Sequence, residues 1–395
     1  MSSKKTKFGY YAIQTLLYMQ VVLSILLAPI SEVFSDAPVL MVQLVFNIAL
    51  FSYFVAAFIA SMLTRVMTKK NILMTGTVLL LVGGIVPLFL QSSIIYFVVS
   101  GALIGMGCGM LEPISAAYIH EKFAGEQAEH ILGIGYAMSG LGGMVFIQLA
   151  AILADINWTY GYYVMLAAVP VLLIIAVCLP NDGKIERKTE KGEKATPFTK
   201  PMVLMLIVFA GYAIFQGTLL NNISFLVEEE GVGSIALAGS AAMLYSGGGI
   251  IAGFIAEYIL KIFKKTVYGV VCLINLAGMI LPLLSLSSAS IVIASILCGF
   301  GCALFNVVCL IYVPEKVGHN ELAIAPGTTA VTIVFNLATF LSAAIVNGLT
   351  VLFLPDKAIS RFIISAIGLV IMAVIGFAVQ LWFEKDTKKE NGQTS

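Results

Sequence analysis

Long apolar runs follow one another along almost the whole chain, and this feature decides what the chain can fold into. A helix needs about 20 apolar residues to cross roughly 30 Å of hydrocarbon. Charged residues, glycine, proline and asparagine divide the runs into twelve segments of this length. With boundaries uncertain by several residues, the segments are 8–30, 39–63, 72–90, 93–119, 131–153, 160–180, 202–227, 235–260, 268–286, 289–312, 323–349 and 359–383.

The composition agrees with an all-α integral membrane protein of twelve transmembrane helices. Hydrophobic residues make up 60% of the chain and charged residues only 11%. A water-soluble globular domain has about 25% charged residues, so this chain has too little polar surface to cover itself in water. A transmembrane β-barrel is disfavoured, because its strands would be short segments of alternating hydrophobicity.

The distribution of Lys and Arg predicts the orientation of the helices. If the N-terminus is cytoplasmic, 20 of the 22 basic residues fall on the cytoplasmic side, and only Lys357 and Arg361 fall outside. Cytoplasmic loops of membrane proteins carry such an excess of basic residues. We therefore expect a multi-pass protein of the plasma or inner membrane, embedded in the lipid bilayer, with both termini in the cytoplasm.

Several classes of function are excluded by what the sequence lacks. The net charge of +1 gives no electrostatic footprint for nucleic acid. No Gly-x-x-x-x-Gly-Lys-Ser/Thr segment is present, so we expect no ATP-driven activity. The six cysteines lack Cys-x-x-Cys spacing and the three histidines fall in predicted loops, so we expect no metal and no other cofactor. An intramembrane enzyme is a remote alternative, since the spans display no paired nucleophile and base.

The two halves of the chain repeat each other. A shift of 194 residues aligns 101–122 with 295–316, and seven of these 22 positions are identical. Each half holds six spans, an even number, so the second half enters the membrane with the same polarity and the repeats are parallel. A polar segment of mixed charge separates the halves. We therefore predict an N-terminal six-helix bundle at 1–180, a cytoplasmic linker at 181–200 and a C-terminal six-helix bundle at 201–395.

This arrangement resembles the major facilitator superfamily of secondary transporters over nearly the whole chain. The resemblance also includes a basic loop after the second span, a Gly-x-Gly-x-Gly motif at 105–109 and the turn at 158–163. It implies that spans 1, 4, 7 and 10 line a central cavity that opens to each side in turn. Two features of the family's drug and proton antiporters are missing: position 101 is Gly101 instead of an arginine, and the glycines of 138–143 lack the accompanying proline.

Charged residues at the cytoplasmic ends of the spans are candidates for a gate. In the family, the loop between spans 2 and 3 carries an Asp-Arg and a basic pair, and this chain keeps the cations without the Asp. Glutamates retained by the duplication could supply carboxylates, in pairs worth about 0 to 1 kcal/mol each. The alternative is simple positive-inside charge with solvated glutamates. The gate candidates are Arg65, Lys69, Lys70 and Glu121 in the first half, and Lys264, Lys265 and Glu315 in the second.

Glu112 is the candidate for proton coupling. It lies inside span 4, roughly 9 Å from the cytoplasmic boundary when counted at 1.5 Å per residue, and its repeat mate is the neutral Asn306. An ionised side chain at the centre of a span costs about 2.5 to 3.5 kcal/mol, so its presence calls for a reason. Glu112 could take up and release protons, or pair with a cationic substrate. The alternative is a neutral Glu112, hydrogen-bonded within its own bundle to carbonyls loosened by Pro113.

Uncharged polar residues on the spans that should converge are candidates for the substrate cavity. A buried amide in a membrane must find a partner, so these side chains should face protein or a cavity. For each residue taken singly, packing is the alternative. No Lys or Arg lies deep in a span, which favours amphipathic organic solutes over densely charged ones. The candidates are Gln14, Tyr18 and Gln20 in span 1, Gln216, Asn221 and Asn222 in span 7, and Asn306 in span 10.

The sequence therefore predicts a secondary active transporter that moves small organic solutes by alternating access. We expect coupling to protons, with multidrug-like efflux favoured over uptake. This direction is favoured by the resemblance and by the uncharged candidate cavity. The alternative within transport is a symporter or uniporter for an organic anion or a nutrient, although the lack of deep cations argues against anions.

Overall fold

The computed structural model describes residues 3–64, 66–123, 126–180, 198–263, 266–317 and 321–392. These residues form helices joined by short turns, and no strand occurs within the described ranges. Twelve helical segments among them are long and apolar enough to cross a membrane. The prediction of an all-α protein with twelve membrane spans is confirmed.

The first repeat supplies spans 1 to 6, and two of them are irregular. Span 1 is interrupted and consists of Ser3–Gln14, the 3-10 turn Met19–Val21, Val22–Ile25 and Leu27–Val33. Span 6 begins as the 3-10 helix Trp158–Ala167 and continues as the α-helix Ala168–Cys178. Spans 2 to 5 are the single helices Val39–Leu63, Lys69–Phe89, Ile94–Lys122 and Glu126–Ile156.

The second repeat supplies spans 7 to 12. Span 7 is interrupted at Gly217 and consists of Lys200–Gln216 and Thr218–Glu229. The remaining spans are single helices. They are Ile235–Phe263, Val267–Leu284, Ser288–Lys316, Glu321–Phe353 and Ala358–Gly392.

Hydroxyl side chains between the apolar runs cap several helices. The side chain of Thr68 accepts a hydrogen bond from the Asn71 N–H at the start of span 3. Ser287 and Ser290 form a reciprocal capping box at the start of span 10. Such caps satisfy N–H groups that the first turn of a helix leaves unpaired. The caps stand in the loops between the apolar runs, which is why the predicted spans and the observed helices agree.

The chain divides into two compact units. Unit 1 consists of Met1–Glu190 and Leu220–Met243, and unit 2 consists of Lys191–Leu219 and Leu244–Ser395. The end of span 7 and the start of span 8 therefore belong to unit 1, although both spans come from the second repeat. The bundle boundaries proposed from the sequence stay a prediction, and 181–197 of the linker lie outside the described residues. We call the membrane side that carries the turns 34–38 and 230–234 the far side, and the other the linker side.

The glycines of span 4 and its repeat mate allow close helix contact. In unit 1, span 4 packs against spans 2 and 3. A Cβ atom on Gly105 would overlap the carbonyl oxygen of Ala49 in span 2. In unit 2, a Cβ atom on the mate Gly299 would overlap the carbonyl oxygen of Tyr245 in span 8. The duplicated motif thus performs the same packing task in each unit, as small residues do between membrane helices.

Arg361, at the start of span 12, is a buried cation with an acidic partner. Its side chain is 1% exposed, and Nη2 lies 2.6 Å from Oδ1 of Asp356. Asp356 lies in the turn before the span, with its side chain about half exposed. Arg361 is one of the two basic residues predicted on the outer side, and its pairing with Asp356 offsets part of the cost of burying its charge.

Candidate functional site

Glu112 is held within unit 1 by a tyrosine of span 2. The Tyr53 hydroxyl donates a hydrogen bond to Oε2 of Glu112. Gly109, one turn before Glu112, permits this contact, because a Cβ atom there would overlap the Tyr53 carbonyl oxygen. The membrane span ends at Ile119, seven residues after Glu112. At 1.5 Å per residue the carboxyl group is therefore about 10 Å inside the span.

A proline and a serine shape the backbone beside this carboxyl group. Pro113 lies inside the span 4 helix and has no N–H to offer to the carbonyl of Gly109. The Ser115 hydroxyl donates to the backbone carbonyl of Glu112 at 3.0 Å. Nε2 of Gln14 in span 1 donates in turn to the Ser115 hydroxyl at 3.4 Å. Spans 1, 2 and 4 therefore meet at Glu112.

The interruption of span 1 is flanked by buried amide oxygens. Oε1 of Gln14 and Oε1 of Gln20 are both buried and have no hydrogen-bond partner within the described part of the chain. Tyr18, between them, is 42% exposed, and its side chain lies beside Gly143 of span 5. An unpaired amide oxygen is costly away from water, so each of these two oxygens has the capacity to accept a hydrogen bond.

Two of the cavity candidates lie in unit 2. Gln216, at the end of the first segment of span 7, is buried, and its Oε1 accepts a hydrogen bond from the Tyr245 hydroxyl at 3.0 Å. Asn306 of span 10 is half-buried. Whether these residues bind a solute stays a prediction.

Asn221 and Asn222 form a buried cluster in unit 1 with two amides of span 2. Nε2 of Gln43 donates to Oδ1 of Asn222 at 2.8 Å and to the Asn221 carbonyl at 3.2 Å. Nδ2 of Asn47 donates to Oδ1 of Asn221 at 2.5 Å and to the Gln43 carbonyl at 2.9 Å. None of the four residues is more than 1% exposed. We call Gln43, Asn47, Asn221 and Asn222 the amide cluster.

Sequence reasoning missed Gln43 and Asn47 because the resemblance directs attention to spans 1, 4, 7 and 10. A signal for them was present. Two amides four residues apart in an apolar helix lie on one face, and that face needs polar partners.

The gate candidates are only partly described. Nζ of Lys70 donates to the Ala176 carbonyl of span 6 at 2.6 Å, and Lys69 is buried. Glu315 pairs with its neighbour Lys316, at 2.8 Å between Oε1 and Nζ. The cytoplasmic gate stays a prediction, because Arg65, Lys264, Lys265 and the side chain of Glu121 lie outside what the structure describes.

No metal centre occurs in the described part of the chain. No group of three or more His, Cys, Asp or Glu side chains there could hold an ion. All six cysteines are free thiols, and five of them are buried.

The sequence profile of the Major Facilitator Superfamily matches residues 10–346. The chain belongs to the major facilitator superfamily. It is therefore a multi-pass membrane protein that performs secondary transport, and not an enzyme. No curated protein matches its sequence significantly.

Solved transporter structures share the fold of this superfamily member. The POT family transporter PepTSo is 11% identical with a TM-score of 0.70, over 100% of this chain and 99% of that one. A D-xylose-proton symporter is 13% identical with a TM-score of 0.68, over 95% and 98%. An inward-facing, unoccupied bacterial homologue of the human lysosomal transporter Spinster is 14% identical with a TM-score of 0.71, over 98% and 99%. At such identities the likeness shows the fold alone, and it confirms the predicted architecture of two parallel six-helix repeats.

Proposed function

We propose that this transporter exchanges small organic solutes for protons by alternating access, with Glu112 as the proton-carrying group and export as the direction. The observation that carries this proposal is the depth of Glu112. The membrane-crossing apolar stretches are shorter than the helices that contain them, and in the described chain they hold four acidic residues, of which Asp155, Glu228 and Glu229 lie at the end of a stretch or one residue from it. Glu112 alone lies deep, and intramembrane acids of this kind mark proton and substrate pathways.

The partner of Glu112 suits a group that changes its protonation state. The Tyr53 hydroxyl can donate to an ionised carboxylate and can accept from a protonated one. The hydrogen bond can therefore persist in both states, while the charge of the pair changes from minus one to zero. A change of charge inside a membrane alters the free energy of each conformation of the transporter. The equilibrium between the conformations can therefore depend on the protonation of Glu112.

The surroundings of Glu112 favour amphipathic solutes with hydrogen-bond donors. Gln14 and Gln20 present buried amide oxygens that have no hydrogen-bond partner among the residues described, and the nearby Tyr53 and Ser115 are neutral. A largely apolar lining with a few polar groups orients an organic molecule without requiring a fixed charge on it. A protonated amine would in addition find the carboxylate of Glu112.

We further propose that the linker side is cytoplasmic, in the plasma or inner membrane. The support is the placement of 20 of the 22 basic residues on that side. Protease treatment of intact cells should leave a C-terminal epitope uncut, whereas permeabilised cells should lose it. Cleavage in intact cells would reverse the orientation.

The test of coupling uses purified protein in lipid vesicles. A thermal-shift screen in detergent first supplies a compound that stabilises the protein. An exporter that exchanges solute for protons should accumulate this compound in vesicles with an acidic lumen. Accumulation driven by an acidic exterior would instead indicate a symporter and would overturn the proposed direction.

Glu112→Gln isolates the role of the proton, because glutamine still offers an oxygen to Tyr53 but does not titrate. This variant should lose accumulation driven by the pH gradient and keep exchange of labelled for unlabelled solute. Asp36→Asn, at an exposed acid on the far side, is the matched control and should behave like the parent. Undiminished proton-driven accumulation by Glu112→Gln would remove Glu112 from the mechanism.

A further inference from the structure

Span 1 loses its α-helical pairing over a stretch that contains neither proline nor glycine. The backbone N–H groups of Leu16, Leu17, Met19 and Val21 donate to carbonyls three residues earlier, at 3.0 to 3.2 Å. An α-helix would pair each N–H group with the carbonyl four residues earlier. The stretch from Gln14 onwards therefore follows the tighter 3-10 winding.

The thiol of Cys108 in span 4 lies against the backbone at this break. Its Sγ donates to the Leu16 carbonyl at 3.5 Å and accepts a hydrogen bond from the backbone N–H of Gln20. In a regular α-helix these two backbone groups, four residues apart, would pair with each other. The thiol thus stands between the two groups and satisfies both. A side chain that enters the backbone ladder in this way is a recognised cause of helix distortion.

The winding of span 1 decides which side chains share a face. Each residue turns by about 120° in a 3-10 helix and by about 100° in an α-helix, so side chains three residues apart are aligned only in the 3-10 helix. Gln14, Leu17 and Gln20 therefore lie on one face. Over the six residues from Gln14 to Gln20, a return to α-helical winding would turn Gln20 away by about 120°.

This face carries two amide oxygens that have no hydrogen-bond partner among the residues described, Oε1 of Gln14 and Oε1 of Gln20. The two side chains are 3% and 6% exposed. The Ser115 hydroxyl gives its proton to the Glu112 carbonyl, so it can only accept from Gln14. The bond to Ser115 therefore takes the amide nitrogen of Gln14 and leaves its oxygen open.

We propose that Cys108 is a positioning residue for the solute site, whose thiol holds span 1 in its 3-10 winding and keeps Gln14 and Gln20 aligned as a pair of acceptors. Without the thiol, the Leu16 carbonyl and the Gln20 N–H would pair with each other and the alignment would be lost. The proposal rests on the proposed transport of organic solutes, but it depends neither on the coupling ion nor on the direction of transport.

The spacing of the two acceptors indicates the kind of solute that this face suits. At about 2.0 Å per residue, Gln14 and Gln20 leave the backbone about 12 Å apart, with the apolar Leu17 between them. An elongated solute with a hydrogen-bond donor at each end and an apolar middle matches this order. All three side chains are buried in the structure, so the solute would meet them in another conformation of the transport cycle.

The first test compares linear dicarboxamides, from succinamide to sebacamide, with monoamides of the same chain length. Binding is measured at equilibrium by thermal shift in detergent, so the result needs neither vesicles nor a pH gradient. A net hydrogen bond changes a binding constant by about fivefold. The longer dicarboxamides should therefore bind about fivefold more tightly than their monoamides, whereas succinamide is too short to gain. Equal affinities at every length, or no binding at all, would overturn the proposal.

The second test asks whether the thiol positions the acceptors. Cys108→Ala removes the group between the Leu16 carbonyl and the Gln20 N–H, so Gln20 should turn away and the preference for dicarboxamides should disappear. Cys108→Ser should restore the preference, because a hydroxyl can donate to the carbonyl and accept from the N–H. A preference that survives in Cys108→Ala, or that Cys108→Ser does not restore, would refute the positioning role.

The control is Cys272→Ala, the same truncation at a cysteine of span 9 that is also 0% exposed. It should keep the preference for dicarboxamides, and loss of the preference in both alanine variants would indicate general loosening and overturn the proposal. Gln20→Leu removes one acceptor and leaves Cys108 in place, so it should lose the preference even if Cys108→Ala does not fold. A Gln20→Leu variant that kept the preference would overturn the proposal as well. Failure of proton coupling changes none of these equilibrium results, so the two proposals can fail separately.

Discussion

The hydroxyl of Tyr53 donates to the carboxylate of Glu112, and this hydrogen bond joins spans 2 and 4 inside one unit. From the sequence, Glu112 could be a coupling acid or a neutral carboxyl group hydrogen-bonded within its own bundle to carbonyls loosened by Pro113. In the structure it is hydrogen-bonded within its own bundle, but the partner is a tyrosine side chain that donates to it, and both hypotheses stay predictions. The two readings are compatible, because a positioned carboxyl group can also exchange protons.

We expect Tyr53→Phe to lower the rate of proton-driven transport by about tenfold while Glu112 remains. A hydrogen bond to a charged group contributes about 1.5 to 3 kcal/mol, and its loss leaves the carboxyl group free to leave its position. The pH profile of transport in lipid vesicles should also move, because the Tyr53 hydroxyl binds the ionised carboxylate of Glu112 more strongly than the protonated carboxyl group.

The comparison variant for this measurement is Tyr163→Phe, at a tyrosine of span 6 that is 43% exposed. It should retain the rate and the pH profile of the parent. A Tyr53→Phe variant with an unshifted pH profile would show that the hydroxyl only supports packing.

Gly105→Ala should destabilise the protein by about 1 to 3 kcal/mol, the usual cost of overpacking a tight contact. Its new methyl group would overlap the Ala49 carbonyl, and backbone cannot move aside as a flexible side chain can. Thermal unfolding in detergent measures the effect. Gly253→Ala, where nothing lies within 4 Å, should instead leave the melting temperature unchanged; equal losses in both variants would contradict the packing argument.

Asp356→Asn should cost about 1 to 2 kcal/mol, because it leaves the buried Arg361 without its acidic partner. This expected loss of stability lies at the low end of the range for a hydrogen bond to a charged group, because the Asp356 side chain is 48% exposed and solvent screens the pair. The same unfolding assay applies, with the exposed Lys357→Gln as the control. No difference between the two variants would mean that the pair contributes nothing to stability.

The thiols should differ in their reactivity according to burial. Cys178 is the half-buried cysteine, and the other five are buried. A water-soluble maleimide should therefore modify at most one site per folded molecule, and six after unfolding in dodecyl sulfate. Mass spectrometry counts the adducts, and Cys178→Ala should bring the folded count to zero. Rapid modification of several thiols in the folded protein would show that the helices around the five buried cysteines separate readily.

The number and type of helices could be predicted because membrane spans are long and apolar, and this property is local to each segment. The breaks could not be predicted in the same way. Span 1 is interrupted in the stretch Thr15–Tyr18, which contains neither proline nor glycine. Span 7 is interrupted at Gly217, yet glycines such as Gly105 and Gly299 lie within continuous helices. In span 7 the Ser342 hydroxyl of span 11, 128 residues away, donates to the Ile214 carbonyl and enters the helix ladder.

Only part of the candidate site could be predicted from the sequence. A lone acid in an apolar helix is conspicuous, so Glu112 could be singled out from composition alone. Its partner could not, because a tyrosine in a membrane helix is common and nothing local to Tyr53 connects it with span 4. The partners of Asn221 and Asn222 were missed for a related reason, since Gln43 and Asn47 lie about 175 residues earlier in the chain.

The segment Leu220–Met243 covers Gln43 and Asn47 and accepts hydrogen bonds from both side chains. Residues of the second repeat therefore complete the hydrogen bonding in the interior of the first. An N-terminal half produced alone would carry two bare amides into lipid, whereas two separately expressed halves could complement each other. The first repeat thus depends on the second, and a gene split at the linker would need both products in one membrane.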